Sequence, residues 1–251
     1  MRACCFLLAM LFMALLTAQS AIPFRNGLTL LVMAGQSAAP VVNRDYVPAD
    51  DAYVHFQPSV SFAGELRYRA YLGAHWELIG GLGFGGNAFH YDLYADPSFT
   101  GFDWTLDTYA QAMPAFQAYG TAGVGHYRRL GRRLALGLDL LWQGGYFFSG
   151  TNSTSHSMTD ETGRFLNLFQ LRYGQDDLLG DGYQALVVSP GLRWRAADHL
   201  LIYAHASSLF TDADILHDNR FTLAGEAKAY AGSFDLPYGW WALQLELAYQ
   251  W

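Results

Sequence analysis

The sequence predicts an all-β chain closed into an antiparallel barrel that crosses a membrane with its strands. Three observations carry this. Hydrophobic residues make up 52% of the chain and aromatics 16%, but charged residues only 15%, too few to cover an ordinary soluble domain. After residue 20 no apolar run approaches the roughly 18 residues of a membrane helix, and only helices and closed barrels satisfy every backbone group in lipid. Third, the chain contains segments in which apolar and polar residues alternate with period two. The clearest is Trp241–Trp251, WALQLELAYQW. There Trp241, Leu243, Leu245, Leu247, Tyr249 and Trp251 fall on one face, and Ala242, Gln244, Glu246, Ala248 and Gln250 on the other.

Residues 1–20 are expected to be a removable export signal. Arg2 gives a basic start, Cys5 to Leu16 is an unbroken apolar run, and Ala18-Gln19-Ser20 offers small residues for cleavage. Residues 21–251 are then one barrel. Both cysteines, Cys4 and Cys5, leave with the signal, which excludes a disulfide, a thiolate metal site and a cysteine nucleophile from the mature chain.

Seven further segments alternate. The first is Leu28 to Gln36, with Leu28, Leu30, Val32 and Ala34 on one face. The second, Val60 to Leu72, sets Val60, Phe62, Leu66, Tyr68, Ala70 and Leu72 against Ser61, Glu65, Arg67, Arg69 and Tyr71. The third, His75 to Phe89, turns Trp76, Leu78, Leu82 and Phe84 outward and is rich in glycine, which predicts a tight bend or close packing in a narrow lumen. The fourth, Phe116 to Arg129, keeps Gln117, Tyr119, Thr121 and Arg129 inside. The fifth, Leu134 to Phe147, directs Leu134, Leu136, Leu138, Leu140 and Trp142 outward, and Asp139 and Gln143 inward. In the sixth, Tyr183 to Arg195, Arg193 and Arg195 face in; in the seventh, Leu200 to Phe210, Tyr203, His205 and Ser207 do. Connections alternate between short (at 73, 131–133 and 196–199) and long (37–59, 92–114, 149–182 and 211–240).

Tight turns at one end, long loops at the other and a closing strand with the pattern Leu245, Leu247, Tyr249, Trp251 resemble the small bacterial outer-membrane barrels of the OmpA/OmpX type. The resemblance implies a location in the bacterial outer membrane, contact with its lipid, and handling by the barrel-assembly machinery through that closing strand. In this family the last aromatic is usually Phe, and Trp251 departs from it. Eight strands fit the connections. Ten remain an alternative, because Arg164 to Tyr173 and Phe221 to Phe234 could each span; otherwise they extend the barrel or fold over its mouth.

Nine charged residues fall on the inner face: Glu65, Glu77, Asp139 and Glu246 against Arg67, Arg69, Arg129, Arg193 and Arg195. Ions inside a narrow barrel must be paired, so these are expected to form a salt-bridge network that plugs the lumen. The long loops hold most other carboxylates, and the solvated acidic face they imply would serve solubility or bind divalent cations or an external ligand. Loop aromatics (Tyr91, Tyr94, Phe99, Phe102, Trp104, Tyr146, Phe147, Phe148, Trp240, Trp241) are expected to form a girdle at the outer interface. Nothing points to nucleic acid, and no cofactor or defined metal site is expected.

Two constellations invite a catalytic reading. His205-Ala206-Ser207 resembles the His-x-Ser pair of lipid A deacylase barrels, but Ser208 stands where that family has Asn, and parity turns the pair inward. Asp212, Asp214, His217 and Asp218 resemble the Asp and His pairs of outer-membrane aspartyl proteases, without the glycine and terminal glutamate of a calcium loop. The expectation is a non-enzymatic barrel with a structural or surface-interaction role. An envelope enzyme is the first alternative and a narrow channel the second.

Overall fold

The computed structural model describes residues 26–42, 48–73, 75–148, 152–173 and 182–251. The expected export signal lies outside them. Among the described residues fourteen strands run in chain order: β1 (Gly27–Ser37), β2 (Val41–Val42), β3 (Ala52–Pro58), β4 (Val60–Leu72), β5 (Trp76–Ala95), β6 (Leu106–Arg129), β7 (Leu134–Phe148), β8 (Asn152–Thr159), β9 (Phe165–Tyr173), β10 (Gly182–Ala197), β11 (Leu200–Phe210), β12 (Asp214–Ala224), β13 (Ala229–Pro237) and β14 (Trp240–Gln250). One helical turn, α1 (Pro97–Thr100), joins β5 to β6.

Eight strands close a cylinder in the order β5-β4-β1-β14-β11-β10-β7-β6, and β6 returns to β5. Every neighbouring pair is antiparallel. These are the eight alternating segments read from the sequence. The ten-strand alternative is overturned, since β9, β12 and β13 belong to a second sheet, ordered β2-β13-β12-β9-β8.

The alternation sorts side chains as hydrocarbon demands. On β14, Leu243 is 66% exposed and Leu245 and Leu247 are 47%, whereas Glu246 between them is 0% exposed. Leu28, Leu30, Val32, Leu66, Leu82, Trp142 and Leu192 also face outward from the wall. A cylinder with an apolar outside and an ionic inside is stable only in lipid. Among the described residues no helix is long and apolar enough to cross a membrane; the outward apolar rows of the closed wall are what meets the lipid. Leu245 is the middle residue of β14, so Leu245→Arg is expected to destabilise the barrel by about 2–4 kcal/mol, read from urea unfolding in lipid vesicles.

The long connections are folded. β5 and β6 run past the expected span ends, and their paired continuations (Phe89–Ala95 with Leu106–Ala112) also take β3 as a third strand. The sequence places the start of the fourth span at Phe116, whereas β6 begins at Leu106. The structure accommodates Pro114 at a β-bulge, where register shifts between Asn87 and Phe89 and a missing N–H breaks no ladder. The second sheet packs on this extension. Phe169, Leu171, Phe221, Leu223, Phe234 and Leu236 meet Phe56, Phe89, Tyr91 and Leu93 in one apolar core. Phe56 stacks on Phe234 at 4.4 Å between ring centroids and meets Phe221 at 5.5 Å.

This core corrects the girdle expectation. Tyr91, Phe99, Phe102, Phe147 and Trp240 are buried, because the folded loops give these rings a dry interior to fill. Trp104, Tyr146 and Trp241 remain exposed. Local turns fix the cap strands. The Asp96 carboxylate accepts the Phe99 N–H at 3.0 Å and caps α1. Between β8 and β9, Asp160 accepts from the Thr162 hydroxyl at 2.6 Å and from the Arg164 N–H at 2.9 Å; these bonds, the hydroxyl's foremost, hold its carboxyl below the usual range.

Candidate functional site: a buried charge cluster beneath a folded cap

Period-two alternation on β4 puts Glu65, Arg67 and Arg69 on one inward row. Neighbouring strands aim their own charges at this row: Glu77 from β5, Asp139 from β7, Arg193 from β10 and Glu246 from β14. None of these seven side chains' residues is more than 3% exposed.

Contacts link all seven. Arg67 grips Glu65 with two bonds, Nε to Oε1 at 2.7 Å and Nη2 to Oε2 at 2.9 Å, and donates Nη1 to Glu246 at 2.6 Å. Arg69 donates to Glu77 at 2.5 Å, to Asp139 at 2.9 Å and to Glu246 at 2.7 Å. Arg193 reaches Asp139 at 2.9 Å and also pairs with Glu77. The Thr121 hydroxyl donates to Glu65. The Tyr203 ring lies 4.9 Å from both the Arg69 and Arg193 guanidinium carbons, so its π face adds to their neutralisation. Arg129 and Arg195 are half-buried on the same inward face, at the end with the short turns.

Glycine makes room for this density. A methyl group at Gly125 would strike Glu77 and come within 2.7 Å of Asp139, and one at Gly137 would lie 2.8 Å from Arg193 Nε. On the glycine-rich β5 the same holds at Gly81, where a methyl group would strike Glu65 and lie 2.9 Å from Arg67, so that strand's glycine content has a steric cause.

His205 joins the cluster from β11. Its Nε2 is 3.7 Å from Glu246 Oε1, and its Nδ1 is 3.3 Å from the Ser189 carbonyl. Donor atoms of Asp139, His205 and Glu246 lie within 4.8 Å of one another, a spacing that suits a metal ion. The donor set does not fit one. Arg69 already binds both carboxylates, Arg193 also binds Asp139, and two guanidiniums would repel a divalent ion.

The His205/Ser207 pair does not have the arrangement of a base and its nucleophile. Ser207 donates to the Ser189 hydroxyl at 2.7 Å, and both residues are 2% exposed inside the lumen. Asp212 is exposed just before β12, and Asp214 begins that strand. The side chains of His217 and Asp218 lie outside the described residues.

Between the charges and the cap core sits a layer that the sequence did not reveal. Gln143 donates to the hydroxyls of Tyr183 at 2.7 Å and Tyr238 at 3.1 Å, and Tyr183 donates to Gln117 at 2.9 Å. Tyr238 comes from the last long connection. Its role depends on that segment folding inward, which no local pattern records.

At the cap's edge Lys228 donates to Asp51 at 2.8 Å, tying the β12–β13 turn to the start of β3. This bond lowers the Asp51 pKa and raises that of Lys228. A depressed carboxyl pKa means that the tether's contribution is present above the ordinary carboxylate range and lost as pH falls through the folded value. Lys228→Met is expected to remove an acid-sensitive step in amide exchange at Asp51 and leave the wall's unfolding midpoint unchanged.

Apolar exterior, ionic interior and antiparallel closure define an integral outer-membrane β-barrel of the small eight-stranded type. No family model matches the chain, and no curated protein matches its sequence. Among solved structures, it is similar to the outer membrane protein OprG from Pseudomonas aeruginosa at 10% identity and a TM-score of 0.42, covering 91% of this chain and 97% of that one. It is also similar to Ail, the attachment invasion locus protein of Yersinia pestis, at 10% identity and 0.36, covering 91% and 100%. A third is the Pseudomonas putida toluene transporter TodX, at 10% identity and 0.29, covering 95% and 93%.

Proposed function

We propose that this protein is a non-conducting, non-enzymatic barrel that anchors a folded surface cap, and that the cap performs its structural or binding work. The observation that carries the reading is the filled interior. Seven linked charges occupy the lumen, an amide and tyrosine layer follows, and the apolar core of the cap lies beyond. An eight-stranded cylinder is just wide enough for side chains to fill, so ions find no continuous path. Residues 1–20 act as the export signal, and the outward row Leu245, Leu247, Tyr249 and Trp251 on β14 is what the assembly machinery engages.

Planar bilayers test the reading. The purified protein is expected to insert, as seen by heat-dependent gel mobility of the same sample, and to leave the bilayer insulating. Steady single-channel conductance would replace this reading with a narrow channel. A hydrolytic activity on lipid A or peptide that is lost in Ser207→Ala or Asp212→Ala would replace it with an enzyme.

A further inference from the structure

The pairing of β4 with β5 ends at Phe62 and Gly86, and beyond that level β5 runs on between β3 and β6 as a three-stranded sheet. One face of this sheet packs on the second sheet, and alternation turns the other outward. Register sets the outward side chains in rows across the strands. Tyr53, Tyr94 and Asp107 form one row, and His55, Asp92 and Tyr109 the next. Neither row contains a lysine or arginine. Tyr109 is 59% exposed and Tyr53 37%. Outward rings on the wall meet lipid, but these stand beyond the closed wall, where lipid does not account for their exposure.

The rings and one carboxylate are held in place. Tyr53 stacks on Tyr94 with centroids 5.1 Å apart and planes 17° from parallel, and Tyr109 stacks on His90 at 4.6 Å. The Gln57 amide donates to Asp92 Oδ2, and His55 Nδ1 lies 3.7 Å from the same oxygen. Asp92 Oδ1 is left without a partner among the described residues. Asp107 is exposed and has no ion pair among them. Each carboxylate stands opposite a tyrosine of the neighbouring strand, Asp107 opposite Tyr94 and Asp92 opposite Tyr109. A carboxylate beside an aromatic ring suits a guanidinium, whose fork bonds the oxygens while its plane lies on the π face. An anionic partner would be repelled here, and an apolar one would strip water from both carboxylates. The two pairs are one row apart, which along β5 is two residues, or about 6.8 Å. Alternate side chains of an extended peptide repeat at the same distance.

We propose that this face of the cap binds an extended peptide carrying arginine at alternate positions, with one guanidinium on Tyr94 and Asp107 and the next on Tyr109 and Asp92. The proposal rests on the binding role given to the cap above. Its test reads peptide binding and not conductance, so its failure would leave the sealed, non-enzymatic barrel standing.

The test titrates the full chain in detergent, by fluorescence anisotropy, with a labelled hexapeptide of alternating arginine and serine. Two counterparts replace each arginine by lysine or by uncharged citrulline. The arginine peptide is expected to bind, the lysine peptide to bind several-fold more weakly, and the citrulline peptide not to bind. Asp107→Asn and Tyr109→Leu are each expected to weaken binding about threefold to fivefold, the size of one exposed ion pair or cation–π contact, and together about tenfold or more. Tyr109→Phe keeps the ring face and should bind like the parent. Heat-dependent gel mobility verifies that each variant is folded. Glu161→Gln removes an exposed charge from the β8–β9 turn and should leave binding unchanged. The proposal is overturned if the arginine peptide does not bind, or if either counterpart matches it. It is equally overturned if Tyr109→Leu binds like the parent, or if Glu161→Gln weakens binding as much as Asp107→Asn.

Discussion

Arg69→Met is expected to be the most damaging single substitution in the wall, costing about 3–5 kcal/mol. The guanidinium touches Glu77, Asp139 and Glu246 at 2.5, 2.9 and 2.7 Å. Without it four carboxylates face two arginines, in a space where an unmatched ion costs several kcal/mol. Methionine fills most of the volume, so the loss reports charge more than cavity. Urea unfolding followed by gel mobility provides the measurement. Arg69→Met/Glu246→Gln should recover part of the loss, because it removes one carboxylate that Arg69 served. A single variant as stable as its parent would show that the cluster tolerates excess negative charge.

Phe56→Ala is expected to cost the cap about 3–5 kcal/mol and leave the wall intact. Phe56 comes from β3, and its ring contacts Phe89, Phe221 and Phe234, so it bridges the barrel extension and the second sheet. Its removal opens a void that rigid neighbouring rings cannot collapse into. Limited proteolysis should then cut within β8–β9 and β12–β13, while the heat-dependent mobility of the barrel persists. The bilayer should stay insulating, since the charge cluster and the tyrosine layer remain. Conductance appearing in Phe56→Ala alone would place the seal in the cap instead of the lumen.

All eight wall strands were legible in the sequence, for a physical reason. Lipid on one side and ions on the other impose a contrast at every second residue, as in Glu65, Arg67 and Arg69 against Leu66 and Tyr68. The charged membership of the lumen followed from the same parity, though parity alone could not say that Arg69 reaches three carboxylates from three strands. The cap was not legible. Phe221 and Phe234 alternate with polar neighbours just as wall residues do, and only pairing with β9 and β2 separates a short surface strand from a span. The girdle expectation failed likewise, since Tyr91 and Phe147 are aromatic near the outer interface whether they face lipid or a core.

β5 spans 20 residues and β6 spans 24, each passing from the wall into the cap without interruption. The cap is therefore cantilevered from the cylinder and not hinged to it. Shear applied to the cap would run down two stiff beams whose ladders to β4 and β7 spread the load around the ring. Membrane anchor and surface fold are thus one continuous ladder.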